Sequence, residues 1–393
     1  MKKNRYDVVV IGGGAAALYL CALLKGRSVA VLEASDRVGK KLLATGNGKC
    51  NLTNVNCSAS AYNDSRVSDY LAAYGPAETM HDFEAMGLAL RRIEDRVYPY
   101  SECASTVSDV LRSAAQRNGV DIRCLHVAEN IIRHGKTFTV QGTATADGKK
   151  TSFGMDCDCV VVACGSAASA GRDSLGLFRG TGHTVRPFVP SLAPLRTDRE
   201  SVKGLSGVRV KCSLSLGERK ESGEVLFKDN GISGIATFNI SAEFARGRAE
   251  KGDTVLVDFM PDRTEEEIVR FIAATGGNAV SALRGMFHSR VAERIATRAQ
   301  RDFAGNADAL NLAKTIKNYP ITVTGLSDAS QAQVMSGGLS LGEFDGHLCS
   351  LLCDGLFAAG ETLDVDGLCG GYNLQWAWTS AHAVAEGIAE RFS

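Results

Sequence analysis

Three glycines and one carboxylate carry the first recognisable chemistry in this sequence. Gly12, Gly13 and Gly14 interrupt the run RYDVVVIGGGAAALYLCALLKGRSVAVLE, and Glu33 closes it. Gly12 permits a tight turn, and Gly14 lets backbone come close to a pyrophosphate. Ala15 and Ala16 follow as the first helical residues, whose unpaired N–H groups and partial positive charge suit an anion. Glu33, about twenty residues past Gly12, is placed to accept hydrogen bonds from a ribose, with Ala34 beside it. Its charge would repel a 2′-phosphate, which leaves FAD and NAD as the dinucleotides in question.

These residues need elements to position them, and the pattern supplies those elements. Asp7 to Ile11 is short, apolar and β-branched, as a buried parallel strand is. A helical run from Ala15 closes near Gly26, and Val29 to Leu32 reads as a second strand. Ala17 fills the third glycine position, where close helix–strand packing is required and Ala is allowed. An ordinary βα turn would show the glycines alone; the acid ending the second strand adds the binding reading.

A second set of polar residues follows in Ala34 to Asn54, ASDRVGKKLLATGNGKCNLTN. Lys40 and Lys41 are cations that could meet phosphate. Thr45, Gly46, Asn47, Gly48 and Asn51 are types that bring N–H groups and side-chain amides against a flat heteroaromatic ring. A solvated surface loop would look the same.

Asn63 to Gly87 reads as two helical segments broken at Gly75-Pro76, and Leu88 to Tyr100 as extended chain. Thr106 to Arg117 is amphipathic at helical spacing. Val120 to Val127 and Thr137 to Gln141 alternate like strands, with Asp147-Gly148 as a hairpin turn, and Val127 joins the candidate cofactor residues. Cys159 to Cys164 reads as another buried strand. Its end, Ala163-Cys164-Gly165, resembles the point where flavoproteins of the glutathione-reductase class return beneath their cofactor.

Pro187, Pro190 and Pro194 mark a domain crossing. Short β-type runs from Leu195 to Met260 predict a small β domain, which resumes near Tyr319 to Val323. Between them Thr264 to Gln300 changes to helical period, opened by a Thr264/Glu267 capping box. Ser336-Gly337-Gly338 is expected to precede a short hairpin region. A final strand, Gly355 to Ala359, runs into Gly360-Glu361, and Gly370-Gly371 opens a long helix from about Asn373. That helix should bury Leu374, Ala377, Ala381 and Val384. A strand ending in Gly360-Glu361 delivers a carboxylate to a sugar or ribityl hydroxyl. The closing helix can point N–H groups at a flavin pyrimidine edge, where its dipole stabilises reduced flavin by about 0.3–1 kcal/mol. No second G-x-G-x-x-G follows a strand, so the single resident dinucleotide is read as FAD, and NADH or NADPH as a transient electron donor.

Composition narrows the class. The 393 residues suggest more than one domain, and 45% hydrophobic with 22% charged residues is ordinary for a soluble globular protein. Equal numbers of basic and acidic residues, 44 each, give no global field for nucleic acid or anionic membrane. The opening lysines and apolar run resemble a signal peptide, but the run is too short, so a cytoplasmic setting is expected. The 12 cysteines form no C-x-x-C pair and read as reduced thiols, and the seven histidines show no metal spacing.

The segments VIGGGAAA, DRVGKKLLATGNGKCNLTN, DNGISG and GETLDVDGLCGGYNLQWAW resemble the BaiN-type bacterial NAD(P)/FAD-dependent oxidoreductases across nearly the whole chain. That family includes a 3-dehydro-bile-acid Δ4,6-reductase and an aminoacetone oxidase. The resemblance implies an α/β chain: a discontinuous Rossmann-like FAD domain of glutathione-reductase type with an inserted β domain carrying a small helical subdomain. The expected boundaries are 1–190, 191–261, 262–317, 318–335 and 336–393. It also implies that Gly12, Gly14, Glu33, Lys41, Gly46, Asn47, Gly48, Asn51, Gly360, Glu361, Gly371, Tyr372, Asn373 and Leu374 line FAD. Ala163, Gly165 and Asp366 complete the candidate set. The chain departs from the family pattern at Ala17, Lys49, Met335 and Cys369, where Gly, Arg, Thr and Thr are common.

The activity these readings favour is NAD(P)H-driven reduction of a C=C bond conjugated to a ketone, on a steroid- or bile-acid-like small molecule, by hydride transfer from flavin N5. Such a reaction needs a donor to the carbonyl and an acid for the α-carbon. Tyr98 and Tyr372 are the candidates, with Tyr100, Ser101 and Tyr319 available by residue type. An amine oxidase using oxygen and a non-catalytic flavin redox sensor are the alternatives. No nucleic-acid or membrane partner is expected, since no basic run has the density RNA requires, and the oligomeric state stays open.

Overall fold

Val8, Val9 and Val10 are sealed from solvent, so the run that holds them must lie inside a sheet covered on both faces. The computed structural model describes residues 4–166, 175–275 and 278–393 and places the run there. The chain divides into two compact units, residues 1–189 with 334–393, and residues 190–333.

The first unit opens with β1 (Arg5–Ile11), α1 (Ala15–Leu23), β2 (Val29–Leu32) and the short β3 (Thr53–Asn54). Next come α2 (Val67–Ala73), α3 (Pro76–Ala85), the hairpin β4 (Leu90–Ile93) and β5 (Arg96–Pro99), and α4 (Ala104–Arg117). The strands β6 (Asp121–Arg123), β7 (His126–His134), β8 (Thr137–Ala146), β9 (Lys149–Val162) and β10 (Val185–Ser191) complete this part. The main sheet runs β6-β2-β1-β9-β8-β7. β1 lies parallel between β2 and β9, with Ile11 beside both Leu32 and Val162. Asp147-Gly148 makes the β8–β9 turn, both residues with positive φ. The expected separate strand Cys159 to Cys164 is instead the end of the 14-residue β9, which stops at Val162.

The second unit is built on a closed barrel. Its elements are β11 (Leu195–Thr197), α5 (Arg199–Val202), β12 (Arg209–Leu216), β13 (Arg219–Lys228), β14 (Gly231–Ser233), α6 (Ile235–Ala245) and β15 (Thr254–Asp258). Then follow α7 (Glu265–Ala274), α8 (Ala279–Ala282), α9 (Ser289–Asp302), α10 (Ala309–Lys317) and β16 (Tyr319–Leu326). The barrel order is β11-β14-β13-β12-β15-β16. The capping box forms: Glu267 N–H donates to Thr264 Oγ1 at 3.2 Å, and Thr264 N–H to Glu267 Oε2 at 2.9 Å. Residues 276–277 of the expected helical stretch lie outside the described residues. Helix α6 is not anticipated by the pattern, because it is buried nearly all round and shows no polar face.

On its return the chain adds β17 (Val334–Leu339), β18 (Leu356–Ala358) and α11 (Tyr372–Arg391) to the first unit. Ser336-Gly337-Gly338 lies within β17, which pairs with β10, and the short hairpin region expected after it brings Phe344 antiparallel to Ser350 and Cys349 to Phe357. β18 pairs parallel with the last residues of β9, Leu356 beside Val160 and Ala358 beside Val162. Along α11, Ala377, Ala381 and Val384 are buried as expected, but Leu374 is half-exposed. The helix instead buries Gln375, Trp376 and Trp378, whose polar atoms make the tertiary bonds described below.

Candidate functional site

The C-terminal ends of β1, β9 and β18 meet at one edge of the sheet, the position where open parallel sheets hold ligands. Gly12 sits there at φ +102°, and a Cβ on it would stand 2.5 Å from the Ala163 carbonyl oxygen. Among the described residues, no heavy atom beyond its own chain neighbours and helix backbone lies within 4 Å of the Cβ position at Gly14. Gly14 is the N-cap of α1, with no side-chain cap and no acid in the first turn, so the N–H groups of Ala15 and Ala16 remain for a ligand. Glu33 lies alongside: its Oε2 accepts from Gly13 N–H at 2.8 Å and its Oε1 from Ser35 N–H at 2.6 Å. Leu125 N–H bonds Ser35 O and His126 N–H bonds Glu33 O, which sets Ala34 and Val127 on neighbouring backbone.

The other chain end supplies a second corner. Gly360 is held by α11: Trp376 Nε1 donates to its carbonyl at 3.1 Å, and its N–H donates to Ser380 Oγ at 2.9 Å. Glu361 Oε2 accepts from Lys41 Nζ at 2.5 Å and from Ser166 Oγ at 2.7 Å, and Gly165 lies against the same oxygen. Lys41, expected to meet phosphate, is therefore paired with the carboxylate expected to meet a hydroxyl. Opposite charges so close attract more strongly than either attracts water-screened groups. Lys40 is exposed.

The start of α11 is built against β3. Gly371, the N-cap at φ +103°, would place a Cβ 2.6 Å from the Thr53 carbonyl carbon. Trp378 Nε1 donates to Leu52 O at 2.9 Å, Thr53 Oγ1 to Gln375 Oε1 at 2.5 Å, and Gln375 Nε2 to Thr79 Oγ1 at 2.8 Å. The preceding loop is tied by Asn63, which donates to Asp364 O at 3.0 Å and accepts from Asp366 N–H at 2.9 Å. Asn373 does not extend its side chain to a ligand: its Oδ1 accepts from Gly367 N–H and its Nδ2 donates to Gly367 O and Leu368 O. Only its backbone is left for binding. Tyr62 Oη donates to the carbonyl of Tyr372, which is half-exposed at the helix start.

The loop Leu42 to Asn51 folds back on itself. Gly46 and Asn47 are exposed with φ of +56°, and a Cβ at Gly46 would lie 2.9 Å from Asn51 N. Thr45 Oγ1 donates to Leu42 O at 2.7 Å. Asn51 is buried, and its Oδ1 has no hydrogen-bond partner among the described residues. A buried acceptor left so costs about 1–3 kcal/mol, and a ligand N–H would remove that cost. Together with the open approach at Gly14, this orphaned acceptor fits a bound dinucleotide with a heteroaromatic ring.

The other candidates scatter. Tyr98 pairs across the hairpin with Arg91. Tyr100 is exposed with Arg91 over its ring at 4.4 Å, and Ser101 Oγ donates to Thr106. Tyr319 is corrected outright: it is buried in the barrel, where its Oη donates to Ser201 O and accepts from Arg294 Nε. Burial pushes the thiols of Cys50 and Cys164 up to about 12, which removes them as thiolates near neutral pH. Pattern reading missed Ser166, Tyr62, Asn63, Gln375, Trp376, Trp378 and Ser380. The polar-in-apolar string Gln375, Thr379, Ser380 within a buried helix was the available signal.

A sheet whose parallel strands β2, β1, β9 and β18 end beside an uncapped, glycine-started helix has a Rossmann-type architecture of the FAD-binding kind. The chain belongs to the family described as HI0933-like protein Rossmann domain, whose model matches residues 6–387. It is 33% identical to a 3-dehydro-bile acid delta(4,6)-reductase of Clostridium scindens, over 97% of this chain and 98% of that protein. A ribosomal RNA dihydrouridine synthase of Escherichia coli is 25% identical, over 98% of each chain. In fold the chain is similar to the 3-ketosteroid delta1-dehydrogenase of Sterolibacterium denitrificans, with a TM-score of 0.52 and 14% identity over 99% of this chain and 100% of that one. The resemblance to the BaiN-type enzymes thus holds, and the chain is a flavin oxidoreductase by class.

Proposed function

We propose that this chain binds FAD and uses NADH or NADPH to saturate a C=C bond conjugated to a ketone, on a steroid- or bile-acid-like 3-oxo small molecule. The observation that carries this reading is that α1 starts at Gly14 and α11 at Gly371 without side-chain caps, with Gly12 packed on Ala163, Gly360 on Ala16, and α11 bonded to Gly360 through Trp376 and Ser380. In this reading the N–H groups after Gly14 hold the pyrophosphate, and Glu33, Ala34 and Val127 the adenosine. Lys41, Gly165 and Glu361 take the ribityl side. Asn51 and the N–H groups of Tyr372, Asn373 and Leu374 take the ring.

The bound flavin supplies the hydride. The protein's own contribution is placement. Tyr372 stands at the start of α11, with Tyr62 fixing its carbonyl, and its Oη is the group we assign to the substrate carbonyl. The names of the two curated relatives describe related chemistry. Saturating uridine to dihydrouridine reduces a C=C bond next to a carbonyl, as enone reduction does. The bile-acid relative at 33% identity supports the small-molecule substrate over RNA.

The test is anaerobic. The purified yellow protein should be bleached by NADH or NADPH under argon and recoloured by a steroidal enone. Recolouring only by uridine in RNA, or bleaching only by an amine with oxygen as the later oxidant, would replace the substrate reading.

A further inference from the structure

Next to the loop that carries Asn47 and Asn51, the β4–β5 hairpin presents a face that nothing above uses. Arg91 pairs with Tyr98 and Ile93 with Arg96 across the two strands, so these four side chains share one side. The opposite side is the packed one: Val97 and Pro99 are buried. Lys49, from the loop, and Tyr100, just past β5, complete the free face. Tyr100 is 61% exposed with the Arg91 guanidinium over its ring. The Arg96 side chain has no hydrogen-bond or ion-pair partner among the described residues, while its backbone pairs with Asn54 and Ile93.

We infer that this face, formed by Lys49, Arg91, Arg96, Tyr98 and Tyr100, is the transient dock for the diphosphate and adenine of the nicotinamide dinucleotide that reduces the flavin. The inference rests on the proposed role of NADH or NADPH as donor. Charge complementarity favours this occupant. Two cations share the carboxylate of Glu102, which accepts from Lys49 Nζ at 2.6 Å and from Arg91 at 2.9 Å, and Arg96 adds a third positive charge to the same side of the hairpin. Glu102 does so from a left-handed backbone at φ +48°, a conformation costly for a residue with a side chain. It occupies the place of an anion, and a diphosphate bridging the same two cations would displace it. Tyr100, an exposed ring already stacked on a guanidinium, offers adenine a flat partner.

Position completes the argument. Leu52 N–H bonds Val97 O at 2.8 Å, and Thr53 pairs with Val97, so the hairpin is fastened to β3. β3 is the strand against which Gly371 and the start of α11 pack. One strand, β3, therefore separates the hairpin from the start of α11. The chain carries no second glycine fingerprint, so a donor held by an exposed face, rather than by a second Rossmann corner, accounts for transient binding.

The experiment uses the FAD-loaded chain under argon, following flavin bleaching against NADH concentration by stopped flow. Titration with NAD+, which cannot reduce flavin, gives binding alone. Arg91→Gln and Tyr100→Ser should each weaken NAD+ and NADH binding about tenfold, with the limiting bleaching rate and FAD content unchanged. Arg91→Lys should recover part of the loss, and Glu102→Gln, which frees both cations, should tighten binding. Dithionite bleaching at wild-type rate shows that a variant is intact. If wild type is bleached by NADH but the Arg91→Gln, Arg96→Gln double variant binds NAD+ as wild type does, the dock is overturned and the donor assignment stands. If the variants slow only recolouring by substrate, the face belongs to the substrate and the dock is overturned. If neither NADH nor NADPH bleaches wild type, the donor assignment itself falls.

Discussion

Glu33 commits its two carboxylate oxygens to the N–H groups of Gly13 and Ser35 and still has lone pairs for a ribose. Glu33→Gln keeps the shape and removes the charge. It should raise the Kd for FAD roughly tenfold, the size expected for weakening hydrogen bonds to a charged group. Fluorescence titration of the flavin-free chain measures this. Thiols give a second prediction at this scale. Cys103 is exposed, and hydrogen bonds from Ser105 hold its thiol below the usual cysteine range. Burial holds Cys21, Cys157, Cys159 and Cys212 up at about 12. Reaction follows the thiolate fraction, which rises with pH through each pKa. A thiol reagent near pH 8 should therefore modify Cys103 first, with a midpoint below that of free cysteine. Cys103→Ser should remove the fast phase, and the four buried thiols should wait for unfolding.

Among the elements, α11 does the most positioning. Trp376 and Ser380 hold Gly360, Trp378 holds Leu52, and Gln375 holds Thr53, so one helix fixes both loops of the candidate site. Gly371→Ala would put a methyl group 2.6 Å from Thr53 on a left-handed backbone. The expected cost is about 1–3 kcal/mol of stability, read as a lower denaturation midpoint, together with weaker flavin retention. The opening βαβ corner was legible because its strand is uniformly apolar and its glycines fall at fixed offsets from Glu33. The capping box at Thr264 was legible for the same local reason. Helix α6 was not, since a helix buried nearly all round has little polar stripe to betray its period. Nor was the pairing of Lys41 with Glu361, residues 320 apart in sequence and joined only by the meeting of β18 with β9. Tyr319 misled because residue type alone cannot tell a barrel core from a cleft.

At the scale of the whole chain, the residues of the candidate flavin site belong to one compact unit and the barrel with its helices to the other. Thr264→Ala removes the α7 cap in the second unit. It should lower stability there by about 1 kcal/mol, seen by hydrogen exchange, while flavin binding in the first unit is untouched. FAD at a hundred times its Kd should stabilise the first unit by about 2.7 kcal/mol. One flavin held between α1 and α11 is the central requirement of the proposed chemistry. Its most direct test is the visible spectrum and FAD content of the purified chain, before and after refolding with excess FAD. One FAD per chain, lost on Gly371→Ala, is the predicted result; a wild-type protein that stays colourless after refolding would contradict it.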